Sequence, residues 1–133
     1  MFELPPEEPQ VLVVDDLPAT RATLKDMLQE MGFSRIEEAS SGREALEKLK
    51  EHSAQLIVCD YMMNDMSGLD LLSQLRNHAY LVDIPFIMIS SNTDSPVVET
   101  ALTLGAADYV VKPISFQLLK LKITDVLRRR MLP

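Results

Sequence analysis

The chain has 133 residues, 47% of them apolar, with a formal net charge of −7 and one cysteine, Cys59. That length suits a single domain burying roughly two-thirds of its unfolded surface with no need of a disulfide or structural metal; one thiol excludes an intrachain bridge and fits a reducing compartment. The acidic balance argues against a nucleic-acid surface, no apolar stretch approaches the ~20 residues of a membrane span, and the N-terminus lacks a signal peptide's basic start and apolar core, so a cytoplasmic protein that binds neither nucleic acid nor membrane is expected.

Residues 1–9 combine Pro5, Pro6 and Pro9 with Glu3, Glu7 and Glu8. Such a segment cannot bury apolar area and reads as a mobile lead-in. From residue 10 to 130, strand and helix patterns alternate five times on short connections, which predicts one α/β domain of parallel βαβ units with right-handed crossovers. Val11-Leu12-Val13-Val14 is apolar throughout, as a strand covered on both faces must be. Pro18 suits a first helical turn, and Leu24, Met27, Leu28 and Met31 recur at helical spacing until Gly32 stops the helix. Arg35 to Ala39 alternates weakly and reads as an edge strand.

Ser41 with Glu44 predicts a capping box for the second helix, with Ala45, Leu46 and Leu49 turned inward. Leu56-Ile57-Val58-Cys59 is the central buried strand. Ser67 with Asp70 caps the third helix, whose inward side chains are Leu71, Leu72 and Leu75. The fourth strand is Pro85 to Ile89, with proline confined to its start. Ser95-Pro96 opens a fourth helix that Gly105 ends, and Tyr109-Val110-Val111 is a short fifth strand. Ser115 begins the last helix, with Leu119, Ile123, Val126 and Leu127 on one stripe; the cations of Arg128-Arg129-Arg130 complement the dipole at its end.

The chemistry lies just past the apolar runs. Asp15-Asp16, Asp60, Ser90 and Lys112 follow Gln10–Val14, Gln55–Cys59, Ile84–Ile89 and Tyr109–Val111, and in an open parallel sheet those ends share the edge where ligands bind. Carboxylates about 5 Å apart repel by roughly 3 kcal/mol at an effective dielectric of 20, so three near one point call for a hard divalent cation. A buried strand that runs into Asp60 needs a purpose or a partner for that charge. Phosphorylation of a carboxylate, with metal and ammonium neutralising the charge of in-line transfer, supplies one.

On these residues, together with Asp60-Tyr61-Met62-Met63 through Gly68, Gly105-Ala106-Ala107-Asp108-Tyr109 and Lys112-Pro113, the chain resembles a response-regulator receiver domain of the CheY-like superfamily over roughly residues 9 to 130. The resemblance implies a doubly wound (βα)5, flavodoxin-like three-layer sandwich with a five-stranded parallel sheet in the order 2-1-3-4-5. It implies Asp60 as phosphoacceptor; magnesium, or alternatively manganese, held by Asp16, Asp60 and the Met62 carbonyl, and by Asp15 through water; Ser90 and Lys112 on the phosphoryl oxygens; and Ser90 with Tyr109 as the switch pair. A cis Lys112–Pro113 peptide is implied too.

The implied partners are a histidine kinase or phosphotransfer protein and an effector or output domain. The chain would be a signalling switch that catalyses only its own phosphorylation and dephosphorylation. It departs from the family pattern where Met63-Asn64 replaces Met-Pro, which removes a rigid φ and predicts a more mobile loop, at Ser91, which narrows access to the acyl phosphate, and at Met62 and Asn92, positions that tune hydrolysis.

A haloacid-dehalogenase-like phosphatase would need an aspartate at position 62, where the chain has Met62. A Rossmann nucleotide site would need a Gly-rich turn after the first strand. A receiver-like module that is never phosphorylated would usually lack one of the acidic residues or the lysine, and all are present. His52 and His78 read as surface histidines at helix ends.

Overall fold

The structure, a computed structural model, describes residues 8–79, 81–91 and 95–131. Strands and helices alternate as β1 (Val11–Val14), α1 (Pro18–Glu30), β2 (Ile36–Ala39), α2 (Gly42–Glu51), β3 (Leu56–Asp60), α3 (Gly68–Arg76), β4 (Phe86–Ser90), α4 (Ser95–Thr103), β5 (Asp108–Val111) and α5 (Phe116–Met131). All the strand pairs are parallel, in the order β2-β1-β3-β4-β5. The alternation predicts the parallel βαβ units, and the strand order is that of the flavodoxin-like three-layer sandwich the resemblance implies.

Period-two alternation along the strands divides the core in two. Val11, Val13, Leu56, Val58, Ile87, Ile89 and Val110 pack with Leu24 and Leu28 of α1 and with Leu119, Ile123, Val126 and Leu127 of α5. Leu12, Val14, Ile57, Cys59, Phe86, Met88 and Tyr109 face α2, α3 and α4 through Ala45, Leu49, Leu71, Leu72, Leu75 and Ala101. The central strands are therefore apolar on both faces, because both faces are covered. β2 at the edge is only half-buried up to Ala39.

Helix ends follow the predicted chemistry with one shift. Ser67 and Asp70 form a reciprocal capping box at α3. At α2 the Ser41 hydroxyl accepts from the Glu44 N–H at 3.0 Å, but the Glu44 carboxylate reaches back to the N–H of Ser40 at 3.1 Å, one residue before the expected donor. Gly32 and Gly105 take φ of 108° and 102° past the ends of α1 and α4, a conformation costly for any side chain with a Cβ. Lys112–Pro113 is cis.

Residues 1–7 of the predicted lead-in lie outside the described residues. At its end, the Glu8 carboxylate accepts from both the N–H and the hydroxyl of Ser34 at 2.5 Å, and Pro9 is buried.

Candidate functional site

Strand register levels the chemistry. Val14 pairs with Cys59, Asp60 with Ile89, and Ser90 with Val111. Asp15 is therefore level with Asp60, with Ser90 one residue and Lys112 two residues further along four adjacent strands. β3 and β4 each run one residue further than the sequence pattern indicated, so that Asp60 and Ser90 are final strand residues and not the first loop residues. Backbone bonds fix this edge: Asp15 N–H donates to Ala39 O at 3.1 Å, Tyr61 N–H to Ile89 O at 2.8 Å and Lys112 N–H to Ser90 O at 2.9 Å.

The predicted site residues converge. Each of Asp15, Asp16 and Asp60 offers a carboxylate oxygen within 4.8 Å of the others. The Lys112 ammonium stands 3.1 Å from Oδ1 of Asp60 and 3.8 Å from Oδ2 of Asp15. Asp15, Asp60 and Ser90 are all buried. Tyr109 lies on the neighbouring strand, paired with Met88 two residues before Ser90, and is buried in the α2–α3–α4 layer. Ser90 and Tyr109 thus share one face of the sheet. Met62 sits in the loop after β3 with its side chain 67% exposed, and Ser91 is exposed; Asn92 lies outside the described residues.

Burial is the main influence on the two inner acids. It pushes the Asp60 carboxyl above the ordinary carboxylate value, against the hydrogen bond from Lys112, and the nearby Asp15 charge pushes the same way. Burial likewise raises Asp15, against the Leu17 N–H, which donates to its Oδ1 at 2.8 Å, and against Lys112. Two or three carboxylates share one ammonium, so their mutual repulsion is only partly compensated.

Several supporting residues carry no local sequence signal. Arg21, from α1, donates through Nη1 to the Asp15 carbonyl at 2.6 Å and through Nε to the Glu38 carboxylate at 3.4 Å, clamping the acidic loop to β2. Asp65 accepts from the N–H groups of Gly42 and Arg43 at 3.2 and 3.0 Å. Asn64 N–H donates to Oδ2 of Asp16 at 3.1 Å. The predicted loss of a rigid φ at position 64 is thus accompanied by a donor that proline lacks. Gly68 completes the frame: a Cβ there would stand 2.6 Å from the Asp60 carbonyl oxygen, so only glycine lets α3 begin this close to the end of β3.

The donor set suits a hard divalent cation, since three carboxylates bring oxygens within 4.8 Å of one another, the donor type such cations take. Among the described residues, Oδ2 of Asp15 is a buried oxygen without a hydrogen bond, an acceptor that a cation or its water would satisfy. Magnesium fits these residues.

A five-stranded doubly wound sheet with an acidic pocket and an ammonium at its carboxyl edge defines a flavodoxin-like α/β domain with a candidate cation site. The family model for the response regulator receiver domain matches residues 11–124. Chemotaxis protein CheY1 of Helicobacter pylori is 38% identical over 119 residues, 89% of this chain and 96% of that protein. Chemotaxis protein CheY of Pseudomonas aeruginosa is 33% identical over 120 residues, covering 90% and 97% of the two chains. Among solved structures, a putative response regulator from Chloroflexus aurantiacus superposes with a TM-score of 0.87 at 26% identity, covering 92% of this chain and all of the other. The signal receiver domain of a signal transduction histidine kinase from Syntrophus aciditrophicus gives 0.85 at 30% identity, covering 94% of each. The chain belongs to the response-regulator receiver family.

Proposed function

We propose that the protein is a phosphorylation-activated switch in which Asp60 accepts a phosphoryl group from a phosphohistidine of a histidine kinase or phosphotransfer protein. The P–N bond of the donor breaks as a P–O bond forms to the Asp60 carboxylate, and the imidazole leaves. The observation that carries this reading is the placement of Asp60: buried at the end of the central strand, 3.1 Å from the Lys112 ammonium and within 4.8 Å of the Asp15 and Asp16 oxygens. Magnesium, held by Asp16, Asp60 and the Met62 carbonyl and through water by Asp15, would neutralise phosphoryl charge during transfer. Lys112 pairs with the transferred group, and Ser90 supplies a hydroxyl to it. The same groups serve autodephosphorylation.

A phosphoryl group replaces one carboxylate charge with about −1.5 to −2 and adds acceptor oxygens. Drawing Ser90 toward them opens space for Tyr109 on the same sheet face, which couples the site to the surface of α4, β5 and α5. Leu102, Val111, Leu118 and Leu121 are exposed apolar side chains on those elements, suited to contact with an effector or an output domain. Incubation with acetyl phosphate and magnesium is expected to add the mass of one phosphoryl group to the wild type and none to Asp60→Asn. An unmodified wild type, or a modified Asp60→Asn, would refute the assignment.

A further inference from the structure

The loop between β3 and α3 holds a contact that the transfer chemistry above leaves unused. The main-chain N–H of Asn64 donates to Oδ2 of Asp16 at 3.1 Å, joining segments 48 positions apart. The residues after it are tied to other elements. Asp65 accepts from the first two N–H groups of α2. The side chain of Met66 lies against Gly42, where an added Cβ would come within 2.5 Å of its sulfur. Ser67 closes the capping box of α3, and Gly68 N–H returns to the Tyr61 carbonyl at 2.7 Å. The Asn64 donor is thus presented to Asp16 by a loop braced from behind. One N–H occupies one lone pair of Oδ2 and leaves Oδ1 free to take a ligand.

We propose that the Asn64 N–H is a positioning group for the divalent cation: it fixes the Asp16 carboxylate before the cation arrives and makes cation affinity depend on the conformation of the β3–α3 loop. This rests on the reading of Asp15, Asp16 and Asp60 as a cation site. Outer partners of ligating carboxylates commonly set metal affinity by about 10- to 100-fold; a solvent-facing bond belongs at the lower end. Because the donor is main chain, any residue but proline supplies it. The inference also reverses the simplest expectation for this loop, since the non-proline residue here adds a tie.

Magnesium titration of the wild type, Asn64→Ala and Asn64→Pro by calorimetry tests it. Asn64→Ala keeps the donor and is expected to bind as the wild type does, whereas Asn64→Pro is expected to bind about ten-fold more weakly. Equal affinity of all three, or equal weakening in Asn64→Ala and Asn64→Pro, overturns the proposal. Amide exchange in the metal-free wild type provides a measurement independent of the proline variant's folding: the Asn64 amide should be protected, and Asp16→Ala should remove that protection. A fast-exchanging Asn64 amide in the wild type also overturns it. A wild type that binds no magnesium removes the cation reading itself, an outcome distinct from equal binding by the variants.

Discussion

Carboxylates in two regions of this molecule are treated in opposite ways. Asp65 and Glu8, on the surface, sit below the ordinary carboxylate value. Glu8 is held there by the hydroxyl and N–H of Ser34; at Asp65 desolvation is the largest single influence and pushes upward, but the backbone N–H groups of Arg43, Gly42, Met66 and Asp65 itself together outweigh it. Asp15 and Asp60, at the sheet edge, sit above it because burial dominates. The same side chain therefore stabilises the fold at a helix start and strains it at the site. At α2 the bookkeeping of end groups closes: Asp65 takes the N–H groups of Gly42 and Arg43, and Ser41 takes that of Glu44. At the edge, one ammonium faces several carboxylates, and an oxygen of Asp15 has no hydrogen bond.

Removing a carboxylate from each region should then move stability in opposite directions. Asp65→Ala leaves two N–H groups of α2 without their acceptor and removes a favourable charge at the helix start, a loss of about 1–2 kcal/mol by urea denaturation. Asp60→Asn, measured without divalent cations, relieves repulsion at the edge and should gain about 1 kcal/mol, or roughly 4 °C in melting temperature. A destabilised Asp60→Asn would mean that the edge acids are satisfied in the metal-free fold.

The pH dependence sharpens the contrast further. Asp60 has a raised folded value, so its folded state binds more protons than the unfolded state between the ordinary value of 3.8 and that raised value. Stability from this group is present below 3.8 and is lost as pH rises through the folded value. The advantage of Asp60→Asn over the wild type should therefore be small at low pH and grow toward neutrality. Asp65 runs the other way: its contribution is present above 3.8 and is lost as pH falls through its lowered folded value. The deficit of Asp65→Ala should shrink on acidification. Denaturation curves at a series of pH values, compared as differences from the wild type, should diverge in opposite senses.

How much of this was legible in the sequence follows from whether the cause is local. Apolar periodicity located the strands and helices, since each must present a face to one of two core layers. The buried positions Leu71, Leu72 and Leu75, and Leu119, Ile123, Val126 and Leu127, are those the helical spacing predicts. Strand ends located Asp15, Asp60, Ser90 and Lys112, because parallel topology turns distant sequence positions into neighbours. Arg21, Asn64 and Asp65 were not legible as site supports. Their partners are backbone groups or carboxylates brought close only by loop conformation, and nothing in an Asn64-Asp65 dipeptide announces a donor for Asp16 or a cap for α2. The shift of the Glu44 bond to Ser40 has the same origin: the motif identifies the helix start, while the path of the preceding chain decides which N–H is presented.

The central claim is that the strained acids at the sheet edge are kept for a divalent cation. Thermal melting of the wild type and Asp16→Ala, each with and without magnesium, tests it most directly, because a ligand of the folded state alone raises stability by about 2.7 kcal/mol at a hundred times its dissociation constant. The wild type should gain several degrees at saturating magnesium, and Asp16→Ala should lose most of that gain. Equal stabilisation of the two proteins would place the cation elsewhere and contradict the account.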